Sequence, residues 1–232
     1  MKEKSKAFNK LFWSLFIFFN IGAFFGITFQ LMGFDVSGFS FTDLAYAEVL
    51  MSLVIAVLVY FIYRKTFDED LISFKKDLKA NLLKALKFFL ILLAIKIAAG
   101  IVSGYLSYAL EIDFGESENQ GLINSLMGSA PVMMLISTAI LAPFIEEGIF
   151  RLGFKKLFNS KYVFIIVSSL VFGFMHIFPT ELALSVALLQ SIVYLAMGFA
   201  LAYMYEETNN IYLVMLVHAL NNLFGLLIFL AL

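Results

Sequence analysis

Long apolar runs, separated by short polar or charged stretches, divide the 232-residue chain into seven segments. They run approximately Leu11–Met32, Leu44–Tyr63, Leu82–Leu110, Pro131–Phe154, Tyr162–Phe178, Leu182–Tyr205 and Ile211–Leu232. A helix needs roughly 20 apolar residues to cross a bilayer. The third run is long enough to tilt or to emerge from the membrane, and the fifth is short. A lone span in lipid must satisfy its own backbone hydrogen bonds, so helix is the state these runs predict. The expected fold class is all-α: a polytopic transmembrane helix bundle of about seven spans, with eight as the alternative. Between the second and third runs, Phe67, Leu71, Phe74, Leu78 and Leu82 recur at helical spacing among acids and lysines. That pattern predicts an amphipathic helix over Asp68–Lys87 on the inner leaflet, with a plain connecting loop as the alternative.

The basic residues choose an orientation. Lys2, Lys4, Lys6 and Lys10 precede the first run, and Arg64, Lys65, Lys75, Lys76, Lys79, Lys84 and Lys87 follow the second. Arg151, Lys155, Lys156 and Lys161 flank the end of the fourth. The connections Asp35–Asp43, Glu111–Asn119 and Pro179–Glu181 carry no Lys or Arg. This alternation predicts a multi-pass protein of the cell membrane with its N-terminus in the cytoplasm. The connection Glu206–Asn210 should also be cytoplasmic, yet it has no positive charge.

Composition narrows the class. The chain is 62% hydrophobic and 14% charged, against about 25% charged in a soluble domain. The net charge of -1 gives no basic field for nucleic acid. With no cysteine, neither a disulfide, a thiolate metal site nor a cysteine nucleophile can form. The first run lacks a small-residue cleavage site, so no cleavable signal peptide is expected. There is no internal repeat. Two of the 3 prolines, Pro131 and Pro143, fall in the fourth run.

Polar residues inside the last runs change the picture most. Acids, histidines and amides at membrane depth are costly and mark function by default. Glu146, Glu147 and Arg151 sit in the fourth run, His176 ends the fifth one turn after Phe172, and His218 and Asn222 sit in the seventh. Successive helical residues point about 100° apart, so Glu146 and Glu147 cannot face one centre. Glu147 and Arg151 are spaced to pair on one face, which leaves Glu146 to point into a cavity. Pro143 removes a backbone donor just before the acids. His218 and Asn222 share a face, whereas Asn221 points elsewhere, with helix packing its simplest role. Ser168, Ser169 and Gly173 let helices approach closely.

Each group also has a plain structural reading: helix-end acids, an interfacial histidine, or interhelical hydrogen bonds. Together, one carboxylate, two imidazoles and an amide can surround a water molecule. A carboxylate shielded from solvent can accept and return a proton. Imidazoles and an amide can hold the water and donate to a developing oxyanion. The set suits amide hydrolysis. His176, His218 and Glu146 would also serve as a three-ligand site for a divalent metal such as zinc. One strain is depth. His176 lies roughly 22 Å of helix beyond Lys161, so Glu146 reaches it only if its own helix continues toward Phe158.

At these residues the chain resembles the CAAX-protease and bacteriocin-processing family of intramembrane proteases. That family's pattern is EExxxR, FxxxH and HxxxN on three membrane helices. Here it reads Glu146-Glu147…Arg151, Phe172…His176 and His218…Asn222. The resemblance covers Pro131 to the C-terminus and implies an intramembrane endopeptidase acting on a peptide or membrane-protein substrate. It implies that Glu146 activates water and that His176 helps bind or deprotonate it. His218 and Asn222 would stabilise the oxyanion, with Glu147 and Arg151 in support. Family members have been described both with and without a metal, so the cofactor expectation is either none or a divalent ion. Gly148 departs from the larger apolar residue common at that place.

The chain thus divides into residues 1–130, spans with a cytoplasmic amphipathic segment, and 131–232, a catalytic helical core. Lys96, deep in the third run, would pair with Glu48, Glu146 or Glu147, or bind a substrate carboxylate. Two rival functions remain at this stage. A proton- or ion-coupled transporter predicts broken helices in matching halves. A non-catalytic immunity or scaffold protein would not need every reactive group.

Overall fold

A computed structural model describes residues 2–32, 36–113, 115, 117–177 and 182–231. Asp35, Phe178, the connection Pro179–Glu181 and Leu232 lie outside the described residues. Among those described there are eight helices and no strand. They are α1 (Lys2–Leu31), α2 (Phe41–Lys76), α3 (Leu78–Ala109), α4 (Glu118–Ser129), α5 (Pro131–Gly153), α6 (Lys161–Met175), α7 (Leu184–Thr208) and α8 (Ile211–Ala231). Six are long and apolar enough to span a membrane; α6 is shorter. The protein is a multi-pass membrane helix bundle.

Helix α8 lies at the centre and packs on α2, α3, α5 and α7. Helix α6 packs closely on α7. A Cβ at Gly173 would meet Leu195 backbone nitrogen at 2.9 Å, so glycine sets that approach.

The expected surface helix over Asp68–Lys87 does not form. Helix α2 runs through to Lys76 and α3 begins at Leu78, turning at Asp77. The first part of the apolar stripe, Phe67 and Phe74, serves the core, whereas Leu78 and Leu82 are about half exposed. Phe67 is fully buried and stacks on Phe144, centroids 4.7 Å apart. Phe74 packs against Tyr212 at the start of α8. Asp70 caps that start, its carboxylate accepting from Ile211 N–H at 2.8 Å.

The same contacts place the uncharged connection 206–210. Asn210 Nδ2 donates to the Asp70 carbonyl at 2.9 Å, and Lys155 pairs with Glu206. Lys10 donates to the Ile62 carbonyl nearby. This connection therefore shares one end of the bundle with the lysine-rich stretches.

Helix α4 stands where the sequence suggested only a connection. Its signal was a Ser-x-x-Gln cap: Ser117 Oγ accepts from Gln120 N–H at 3.3 Å. It packs on α2 and α5 at the end away from the lysines.

Candidate active site

Helix α5 is not a regular helix. Ser137–Leu141 and Gly148–Gly153 are π-helical turns on either side of Ala142–Glu147. Such turns are rare and concentrate at functional sites. In the first, Ala142 N–H donates to the Ser137 carbonyl. The next rung would run from residue 143 to Thr138, but Pro143 has no N–H. The Thr138 carbonyl instead accepts from Asn222 Nδ2 of α8 at 2.9 Å. The proline thus creates the vacancy that Asn222 fills, joining two of the sequence motifs. At the second turn α2 comes very close. A Cβ on Gly148 would stand 2.6 Å from Val59 Cγ1, which explains glycine at this place.

Arg151 and Glu147 are both fully buried and pair as their spacing predicts, Nε to Oε2 at 2.8 Å. Arg151 Nη1 also donates to Ser168 Oγ at 2.6 Å, and its guanidinium lies 5.0 Å from the Phe172 ring centroid. Ser168 donates onward to the Phe150 carbonyl at 2.8 Å. A buried charge is tolerable when paired and hydrogen-bonded in this way. The Arg151–Ser168 contact also removes the difficulty of depth. It sets α5 against α6 with Arg151 beside both Ser168 and Phe172, and Glu146 reaches His176 although α5 ends at Gly153.

Glu147 has a second partner. His218 Nδ1 lies 2.9 Å from Glu147 Oε1. A carboxylate held by arginine accepts, so Nδ1 is the donor and Nε2 points away from Glu147. His176 is fixed similarly, since its Nδ1 donates to the Phe172 carbonyl at 2.8 Å. Its ring stacks on Tyr194, centroids 4.9 Å apart. Both Nε2 atoms aim at one carboxylate oxygen. Glu146 Oε2 lies 3.7 Å from His176 Nε2 and 3.8 Å from His218 Nε2. That oxygen is buried and has no hydrogen-bond partner among the described residues. Three groups converge at a spacing too long for direct hydrogen bonds.

These residues close one end of a cleft of about 320 Å³. Asn222 lines it, as do Glu48, Lys96, Tyr194 and Asn221. A second cavity of about 310 Å³, between α1 and α2, also reaches Glu48 and Glu146.

Two expectations are corrected here. Lys96 forms no ion pair with Glu48, Glu146 or Glu147; its Nζ donates to Asn221 Oδ1 at 2.8 Å. Asn221 is therefore not a packing residue pointed elsewhere. It passes the contact on, its Nδ2 donating to Asn222 Oδ1 at 2.9 Å. Glu48 is the acid that sequence reasoning undervalued: its Oε1 accepts from Ser52 and from Ser137. Tyr194 had no signal beyond its place in an apolar run.

Zinc holds nitrogen and oxygen ligands at about 2.0–2.2 Å, so tetrahedral neighbours stand about 3.4 Å apart. The spacings at Glu146 are longer, and the described residues contain no group of three His, Cys, Asp or Glu placed to hold a metal. As arranged, these side chains stand a few tenths of an ångström wider than a zinc ligand set.

One comparison with protein families falls on the same stretch. The family profile described as Type II CAAX prenyl endopeptidase Rce1-like matches residues 128–224. The chain is 30% identical over 184 residues to "Putative membrane peptidase YdiL" of Bacillus subtilis, covering 76% of this chain and 68% of that protein. It is 32% identical over 152 residues to the UPF0177 protein YvdC of Lactococcus lactis, covering 65% of this chain and 54% of that protein. The UPF0177 protein YajF of the same organism is 33% identical over 100 residues, 43% of this chain and 46% of that protein. The chain spans about half the length of these two Lactococcus relatives. No solved structure matches it.

Proposed function

Because the chain belongs to the Type II CAAX prenyl endopeptidase Rce1-like family, we propose that it is an intramembrane endopeptidase in which Glu146 activates water against a peptide bond. The observation that carries this reading is the orphaned Glu146 oxygen, faced by two histidine Nε2 atoms.

A water between these three atoms gives up a proton to Glu146 as its oxygen attacks the carbonyl carbon. His176, with its Nδ1 proton on the Phe172 carbonyl, offers Nε2 as a second acceptor that orients the water. His218 does the opposite work. Its Nδ1–H is held by Glu147, so Nε2 faces the site, and in its protonated form Nε2–H donates to the developing oxyanion. Asn222 Nδ2 keeps one hydrogen on Thr138 and has a second to offer the same oxygen. Collapse of the tetrahedral intermediate breaks the C–N bond, and the Glu146 carboxylic acid protonates the leaving amine. General acid–base transfer contributes about 10²–10⁴-fold, and each oxyanion donor about 10²–10³-fold.

The bilayer and a peptide or membrane-protein substrate are the partners this reading requires, with no nucleic acid and no resident metal. The test is cleavage of a quenched-fluorescent hydrophobic peptide library by the purified chain in nanodiscs. Wild type should cut a subset and Glu146→Gln none; equal cutting by both defeats the proposal.

A further inference from the structure

The cleft runs in one direction only. On α5 its lining residues, Met134, Ser137, Thr138 and Ala142, all precede Glu146. On α8 those beyond His218 all follow it, out to Leu226. Nothing on the lysine side of Glu146 and His218 lines the cleft. That side is plugged by the fully buried layer of Phe150, Arg151 and Phe172. Asn222 follows Ile211 by roughly 17 Å of helix, about the middle of a 30 Å hydrocarbon core. From there the cleft extends to α4, whose Asn119, Gln120 and Ile123 wall it at the end opposite the lysines. Every Lys and Arg outside the spans falls at the other end, and the connections at the α4 end carry none. Charge bias of this size assigns the α4 end to the non-cytoplasmic side.

We infer that the cleft is fed from the extracytoplasmic face, and that its substrate is a peptide segment presented outside the membrane, reaching Glu146 past α4. The sidedness follows from the plug, the lining and the charge distribution. Only the word substrate rests on the peptidase reading above.

The chain has no cysteine, so single-cysteine variants report cleanly. Gln120→Cys in the cleft wall and Ser125→Cys on the exposed face of α4 are treated in intact cells with a membrane-impermeant maleimide, beside Lys156→Cys at the lysine end. Both α4 variants should label before the cells are opened, and Lys156→Cys only afterwards. The reverse pattern overturns the inference, and the second α4 variant guards against misfolding of the first. A companion measurement adds impermeant peptides to right-side-out and inside-out vesicles. Cleavage by right-side-out vesicles alone supports the inference; cleavage by inside-out vesicles alone overturns it. External labelling with no cleavage from either side leaves the sidedness standing and removes the peptidase reading.

Discussion

Helices α1 and α5 are both apolar, and the resemblance ends there. Only 11% of the most apolar window of α1 is buried, against 50% for α5. The rings of Phe12, Trp13, Phe16 and Phe19 on α1 are half or more exposed, as suits a lipid-facing surface. On α5, every residue from Glu147 to Gly153 is buried. The same hydrophobic letters thus serve as solvent match in one helix and as the wall of a polar site in the other. Position inside the bundle, not composition, decides what a substitution costs.

The contrast can be broken first at Glu146. Glu146→Gln keeps the shape and removes the base, so turnover should fall about 10²–10⁴-fold with the melting temperature unchanged. Arg151→Met comes next. It leaves Glu147 buried without its cation and should cost about 3–5 kcal/mol of stability, read by thermal denaturation in detergent. Adding Glu147→Gln should recover part of that loss; no recovery would mean the pair is not the source. Asn222→Ala should lower kcat by about 10²–10³-fold, and it also frees the Thr138 carbonyl, so some stability should go with it. Gly148→Ala drives a methyl into Val59 and should cost about 1–3 kcal/mol. At the far end, Phe19→Leu on α1 should stay within about 0.5 kcal/mol. A cost at Phe19 equal to that at Gly148 would erase the distinction between the two helices.

The sequence showed the spans and the polar exceptions because both are written locally. A run of apolar residues is visible wherever it sits, and Glu146, His176 and His218 stand out for their cost in lipid. The Glu147–Arg151 pair was legible from spacing alone. What was hidden depends on distant neighbours. The π-turn at Ser137–Leu141 is sustained by Asn222, 84 residues from Thr138. Asn221 looked like packing because its partner Lys96 is 125 residues away. The stripe from Phe67 to Phe74 looked like a membrane-surface helix, since periodicity cannot say whether an apolar face meets lipid or another helix. The broken helix that a transporter would repeat in a matching half occurs only in α5 among the described residues.

The central claim is that Glu146, and no metal, activates water between His176 and His218. Single-turnover cleavage of one identified peptide, by wild type and Glu146→Gln with and without prior chelation, tests it most directly. The account predicts full wild-type turnover after chelation and loss in Glu146→Gln under both conditions. Wild-type turnover abolished by the chelator and restored by zinc, or a Glu146→Gln protein that still cuts at the wild-type rate, would contradict it.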